Sequence, residues 1–290
     1  MHKTRVLLSG LRYNVAMITV ANPDFNIQKI ADSGQCFRLH PSNDGGYTLI
    51  ANNRVLHLWD TENGCRFDCS QAEFDAFWRD YFDLATDYAS IRAQADPEDA
   101  FLQQACAYGA GIRMLRQNPL EMLISFIISQ RKNISAIKFC VEALCARYGE
   151  PIESGEGAQL AFPSANRLAE LDEAHFLACS LGYRAKYVLS CARMIANGAL
   201  DLDVMADLDD EALFSVLLTV PGVGEKVANC VMLFGYHRLS RFPRDVWINR
   251  VIDQEYGGAF PLERYPGAAG VLQQYIFYFA RSKEYQKTLP

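Results

Sequence analysis

Residues 217–248, LLTVPGVGEKVANCVMLFGYHRLSRFPRDVWI, constrain the fold more than any other stretch: a helix runs into Pro-Gly-Val-Gly and a second helix starts at once. Pro221 cannot extend a helix ending near Val220. Gly222 and Gly224 can take left-handed or crowded backbone angles that let the main chain approach a flat or charged partner. Leu213, Val216, Leu217 and Val220 share one face of the first helix, and Val227, Val231 and Phe234 share one face of the second, so the pair packs as a hairpin over residues 213–236. Amides of the turn and of the second helix's first turn are then left without intrahelical partners, at the positive end of the dipole. They either cradle a phosphate or belong to a plain tight turn.

Lys226 lies in that first turn, where the dipole disfavours a cation and burial would disfavour it further, so its amine tends towards the neutral, nucleophilic form. The alternative is a solvated helical lysine. Asp245 opens another helix as its N-cap, and as a carboxylate it can also take a proton from the lysine or offset a developing positive charge.

Three more segments carry a resemblance. Ser33-Gly34-Gln35-Cys36-Phe37-Arg38 is similar to the SGQ[SC]FR segment of 8-oxoguanine DNA glycosylases, residues 181–187 (LGYRAKY) to their LGYRA[RK]Y segment, and residues 270–277 (GVLQQYIF) to their C-terminal Gly-x-x-Gln…Phe segment. With the hairpin, which looks like that of the lysine-bearing bifunctional branch of the helix-hairpin-helix superfamily, the matches run in the family's order from Ser33 to Phe277.

The resemblance implies a DNA glycosylase with lyase activity on double-stranded DNA containing oxidised guanine. Lys226 would attack the sugar C1′ and form a Schiff base, with Asp245 as its carboxylate partner. The Gly34 carbonyl would accept a hydrogen bond from the lesion's N7–H, Cys230 and Phe277 would sandwich the extruded base, and Gln273 would bond its Watson–Crick edge. Spacing independently lets each helix present a polar head beside a wall, since Lys226 and Cys230, like Gln273 and Phe277, are four residues apart.

For DNA binding the resemblance implies Tyr183 as wedge, Gln130 and Arg131 in the plug loop, Arg184 on the orphaned cytosine, and Gly222 and Gly224 at the strand. Tyr183 and Arg184 otherwise read as a solvated helix start. Arg131 stands where the family's asparagine reads that cytosine, a departure that leaves the opposite-base preference open. No metal or organic cofactor is implied, and a monovalent cation on the hairpin carbonyls is optional. Two other readings are a helix-hairpin-helix glycosylase for a different damaged base and a DNA-binding module that has lost catalysis.

Nine scattered cysteines do not form a disulfide framework, and none follows Cys230, so the four-cysteine iron–sulfur loop of some superfamily relatives is missing. Cys65 and Cys69 read as half-buried strand positions. The composition, half hydrophobic in 290 residues, and the lack of a membrane-spanning apolar run are those expected of a monomeric intracellular globular protein. A net charge of -6 opposes DNA binding, but its distribution is uneven. Residues 68–100 hold nine Asp and Glu against Arg79 and Arg92, whereas residues 226–250 hold five Lys and Arg against Asp245, which predicts an acidic back and a basic face.

The pattern along the chain predicts an α+β fold. Residues 36–40, 47–51 and 55–59 read as strands of a small antiparallel sheet with packed helices, in a domain over residues 1–100 that contributes to the base pocket. Ser70 and Glu73 suggest a capping box before an aromatic stripe of Phe74, Phe77, Trp78, Tyr81 and Phe82, read as core. Residues 101–290 read as a mostly helical domain. It includes a buried helix capped by Asn118 with Pro119 at N1 and Glu121 at N3, a polar loop at 129–133, and a further helix to Gly149.

Overall fold

The computed structural model describes residues 17–152 and 159–287. Strands β1 (Ile18–Ala21), β2 (Leu39–Pro41), β3 (Tyr47–Ala51), β4 (Arg54–Thr61) and β5 (Gly64–Asp68) form one sheet in the order β1-β5-β4-β3-β2, every pair antiparallel. Asn52 and Asn53 reverse the chain between β3 and β4 with φ of 44° and 59°, left-handed angles that match the twist of the strands they join. The three expected strands are present, the first displaced to residues 39–41, and β5 and then β1 extend the sheet beyond β4. Cys65 is fully buried in β5 and Cys69 is buried just after it, rather than half-buried, because the two-residue period aligns them with Phe67 on the inner face.

Ser70 Oγ accepts the Glu73 amide at 3.1 Å. The Glu73 carboxylate turns to Trp78 Nε1 at 3.0 Å, so only half of the expected capping box forms, and a π-helical turn follows at Phe74–Trp78. Phe74, Trp78, Tyr81 and Phe82 bury their rings with Phe25 and Phe67, as the stripe requires of a core. This core also takes Leu115, while a second core starts at Tyr88 and takes Phe37 from the N-terminal segment.

The short helix α1 (Ile27–Asp32) leads into Ser33 and Gly34. Helix α2 (Ala100–Gly109) packs on α9 (Ala269–Ala280). Helix α3 (Pro119–Ile128) starts as expected, Asn118 accepting the Leu120 and Glu121 amides at 2.9 and 3.3 Å. Every residue from Glu121 to Ile128 is buried, so α3 runs through the core instead of lying on it. Helix α4 (Ile134–Tyr148) follows, then α5 (Ala185–Ala196). The hairpin is α6 (Asp210–Leu218) and α7 (Glu225–Phe234), with Val220 already in the turn, and α8 (Val246–Glu255) follows it.

Candidate active site

The hairpin turn is braced from behind. Gly222 sits at φ +83°, and a Cβ there would lie 2.5 Å from the Tyr187 ring, so both the angle and the space exclude other residues. Gly224 differs from its expected role within the fold: it is neither left-handed nor crowded, with nothing within 4 Å of a Cβ. Not every turn amide is open, because Val223 N donates to Val220 O at 3.0 Å.

The loop at 129–133 is strapped to that turn. Gln130 Nε2 donates to Gly222 O and to Ile127 O, both at 3.0 Å. The Gln130 carbonyl accepts two nitrogens of the Arg184 guanidinium, Nε at 2.8 Å, while Nη1 donates to Leu181 O at 3.2 Å. Arg184 is therefore buried as a brace and not laid out on a solvated helix start. Tyr183 beside it is 48% exposed. Arg131, exposed at φ +52°, forms the tip of the loop.

In front of the hairpin lies a cavity of about 290 Å³ whose wall includes Lys226, Asp245, Gly34, Cys230, Gln273 and Phe277. Lys226 Nζ is 3.4 Å from Ser129 Oγ, which donates its own proton to Phe126 O at 2.7 Å and so turns a lone pair to the amine. Nζ also stands 5.3 Å over the Phe126 ring. Burial pushes the Cys230 thiol pKa up against the opposing pull of Lys226, which keeps it a neutral, soft wall. Asp245 Oδ1 accepts the Trp247 and Ile248 amides at 3.0 and 2.9 Å, an N-cap that also sets the carboxylate at the cavity.

Gln273 donates Nε2 to Pro243 O at 2.9 Å, and this single bond fixes the amide so that Oε1 is buried without any partner. An unpaired buried acceptor costs about 1–3 kcal/mol and is a place for a ligand donor. Gly34 has φ +80°, and a Cβ there would meet Ile134 at 2.8 Å and Phe277 at 3.3 Å. Only glycine brings the main chain this close to the Phe277 wall.

Six of the twelve residues singled out from the sequence thus share one cavity, while Gln130, Arg131, Tyr183, Arg184, Gly222 and Gly224 lie outside its wall. Ser129, Phe234, Trp247, Gln274 and Arg281 line it as well and were not anticipated as site residues. Four-residue spacing could have found two of them: Phe234 continues Lys226 and Cys230, and Arg281 continues Gln273 and Phe277. Gln274 breaks that spacing and Ser129 comes from another helix, so no local pattern marks either.

The basic face is thinner than the charge pattern suggests. Arg241 pairs with Asp210 at 3.1 Å, and Arg238 donates to Ala206 O and Leu208 O at 2.7 and 2.9 Å, because both residues return to the start of the hairpin.

A helix-hairpin-helix set behind a cavity that joins a lysine to a capping aspartate defines the class, and the sequence matches agree. Residues 17–123 match the model of the 8-oxoguanine DNA glycosylase N-terminal domain, and residues 124–259 that of the HhH-GPD superfamily of base-excision DNA repair proteins. The Clostridium acetobutylicum 8-oxoguanine glycosylase/lyase, solved with double-stranded DNA containing cytosine opposite 8-oxoG, is 32% identical with a TM-score of 0.85, over 94% of this chain and 98% of that one. MBOgg1, solved with a low-affinity DNA ligand, is 33% identical with a TM-score of 0.86, over 91% of this chain and 94% of that one. The Saccharomyces cerevisiae N-glycosylase/DNA lyase is 35% identical over 158 residues, 50% of this chain and 42% of that protein, so the match spans less than half of the yeast enzyme's length. This chain belongs to the 8-oxoguanine DNA glycosylase family of the helix-hairpin-helix superfamily.

Proposed function

We propose that the protein is a bifunctional DNA glycosylase/AP lyase of base-excision repair that extrudes 8-oxoguanine from duplex DNA, excises it through a lysine Schiff base and nicks the strand. The observation that carries this reading is a single cavity lined by both Lys226 and Gln273, whose Oε1 is buried without a partner. One is a nucleophile and the other is an acceptor suited to the N1–H and N2–H donors of a guanine-type edge.

The glycosidic bond cannot be reached inside stacked DNA, so the nucleotide must turn out of the helix. Exposed Tyr183 is the wedge, and the tip of the 129–133 loop fills the gap. Hairpin amides, with Gly224 leaving open space at the start of α7, hold the phosphate backbone. Arg184 reads the orphaned base only if it exchanges its present bonds to the loop, so Arg131 is the better-placed donor. Cys230 and Phe277 sandwich the extruded base. The carbonyl of Gly34 accepts N7–H of 8-oxoguanine but meets a lone pair on guanine, a mismatch worth about 1–3 kcal/mol.

Lys226 Nζ then bonds to C1′ as the C1′–N9 bond breaks and the base leaves with the bonding pair and takes up a proton. The amine loses its protons and the C1′–O4′ bond opens, which gives the Schiff base. Removal of a C2′ proton then expels the 3′ phosphate. Asp245 offsets the positive charge on the sugar and accepts the lysine proton.

The protein acts as a monomer inside the cell. A monovalent cation fits the hairpin only through second lone pairs, since Val220 O and Gly222 O each already accept one hydrogen bond, and no step runs through it.

Borohydride reduction during reaction with a duplex carrying one 8-oxoguanine should trap a covalent protein–DNA adduct, absent in Lys226→Gln. An adduct that survives in Lys226→Gln removes Lys226 from the chemistry, and excision of an alkylated base in preference to 8-oxoguanine replaces the substrate.

A further inference from the structure

The segment that carries Gly34 is held carbonyl by carbonyl by side chains from elsewhere in the fold. Lys138 Nζ, on α4, donates to Ala31 O at 3.2 Å. Arg281 Nη1, just past α9, donates to Asp32 O at 3.2 Å. Gln274 Nε2, on α9, donates to Ser33 O at 2.6 Å, a fully buried bond. Gln117 Nε2 donates to Gln35 O at 2.8 Å. Among the described residues no donor reaches the Gly34 carbonyl in the middle of this row.

Two of these fasteners belong to the element that supplies the opposite side of the cavity. Gln274 follows Gln273, and the Arg281 guanidinium lies 5.0 Å over the same Phe277 ring that approaches Gly34. One helix therefore presents the edge-reading amide and the stacking wall and also ties down the backbone on either side of the N-terminal reader. The two recognition surfaces come from opposite ends of the chain, 239 residues apart between Gly34 and Gln273, with no local geometry to fix their separation.

We propose that Gln274 and Arg281 are positioning residues for lesion discrimination, which clamp Ser33 O and Asp32 O to α9 and so hold the Gly34 carbonyl at a fixed place opposite Gln273 and Phe277. The physical need is specific. A carbonyl rejects guanine only if it cannot retreat from the N7 lone pair, and it gains from N7–H only if it does not drift out of hydrogen-bond range. A mobile acceptor would bind 8-oxoguanine less tightly and guanine less badly, whereas a fixed one separates them. The inference rests on the function proposed above, in which Gly34 is the reader.

The test compares equilibrium binding of duplexes carrying one 8-oxoguanine or guanine at a set position, in a Lys226→Gln background that stops turnover. Gln274→Met keeps the length and bulk of the side chain and removes the donor. The ratio of the two dissociation constants should fall at least fivefold in Gln274→Met and in Arg281→Met, mainly through weaker 8-oxoguanine binding, and Arg281→Lys should restore it to within twofold. A general loss of folded protein scales both constants alike and leaves the ratio unchanged, so the ratio separates positioning from stability. Should Gln274→Met not fold, the half-exposed Arg281→Met and its lysine rescue carry the same expectation. A ratio unchanged from the parent in the folded variants overturns the clamp. A parent protein that shows no preference for 8-oxoguanine over guanine overturns the function itself, a distinct result read before any clamp variant is made.

Discussion

At the scale of single residues, the site combines groups whose second bond decides what the first can do. Ser129 can accept from Lys226 because its own proton goes to Phe126 O, and Gln273 offers Oε1 because Nε2 is held by Pro243 O. Glu121 is a different case, a carboxyl inside α3 far from any role in catalysis. Burial raises its pKa to about 7, with Arg38 pulling it down and Glu142 pushing it up. A raised acid favours the folded state most below its unfolded pKa, so this contribution is complete below the ordinary carboxylate range and fades as pH rises towards 7. Glu121→Gln should therefore flatten the loss of stability between pH 4.5 and 7, where 4.5 is the ordinary value for this group. It should stabilise the protein at pH 8 by about 1–3 kcal/mol, measured by urea unfolding at several pH values. A variant less stable than the parent at pH 8 would mean that the Glu121 charge is stabilising.

At the scale of elements, the hairpin turn uses its two glycines for separate reasons. Gly222 is required by the fold, since it has φ +83° and the Tyr187 ring behind it, whereas Gly224 is required by nothing within the protein. Gly222→Ala should lower stability by about 2–4 kcal/mol through strain and overpacking. Gly224→Ala should leave the melting temperature within about 2 °C, since a small exposed change is worth no more than about 0.5 kcal/mol. It should still weaken binding of abasic-site DNA about tenfold, by keeping the backbone from the phosphate. Unaltered DNA affinity in Gly224→Ala would show that the strand does not approach that turn. The straps from Gln130 and Arg184 tie the 129–133 loop to the hairpin turn as one unit.

At the scale of the whole molecule, charge that looks basic in the sequence is partly consumed inside the fold. Arg238 and Arg241 are held by carbonyls and by Asp210, while Arg131 is exposed at the loop tip. Arg131→Ala should reduce the slope of log affinity against log salt by up to about 1 unit, because the charge that brings its donors to the orphaned base also displaces counterions from the duplex. Arg241→Ala should leave that slope unchanged and lower stability instead. The reverse pattern would relocate the DNA path to the start of the hairpin. Binding titrations at several salt concentrations decide between them.

Local physics made much of this molecule readable in the sequence: the Asn118 cap, the aromatic stripe, the hairpin, and the pairs Lys226 with Cys230 and Gln273 with Phe277 each depend on residues only a few positions apart. Strand β1, four residues long, was not read, and β5 showed only through the strand positions of Cys65 and Cys69. Nor were the half-formed Ser70 cap, the internal pairing of Arg238 and Arg241, or the brace made by Arg184. Half of the Ser70 capping box is lost to a local competitor, Trp78, whereas the bonds of Arg238, Arg241 and Arg184 depend on which partner arrives from a distant part of the chain. The sequence by itself determined the elements and the reactive groups they carry. Tertiary packing alone decided that Gly34 and Phe277 meet across one cavity and which polar atoms in it stay unpaired, because contact between chain ends is set by how the two cores close and not by any period along the chain.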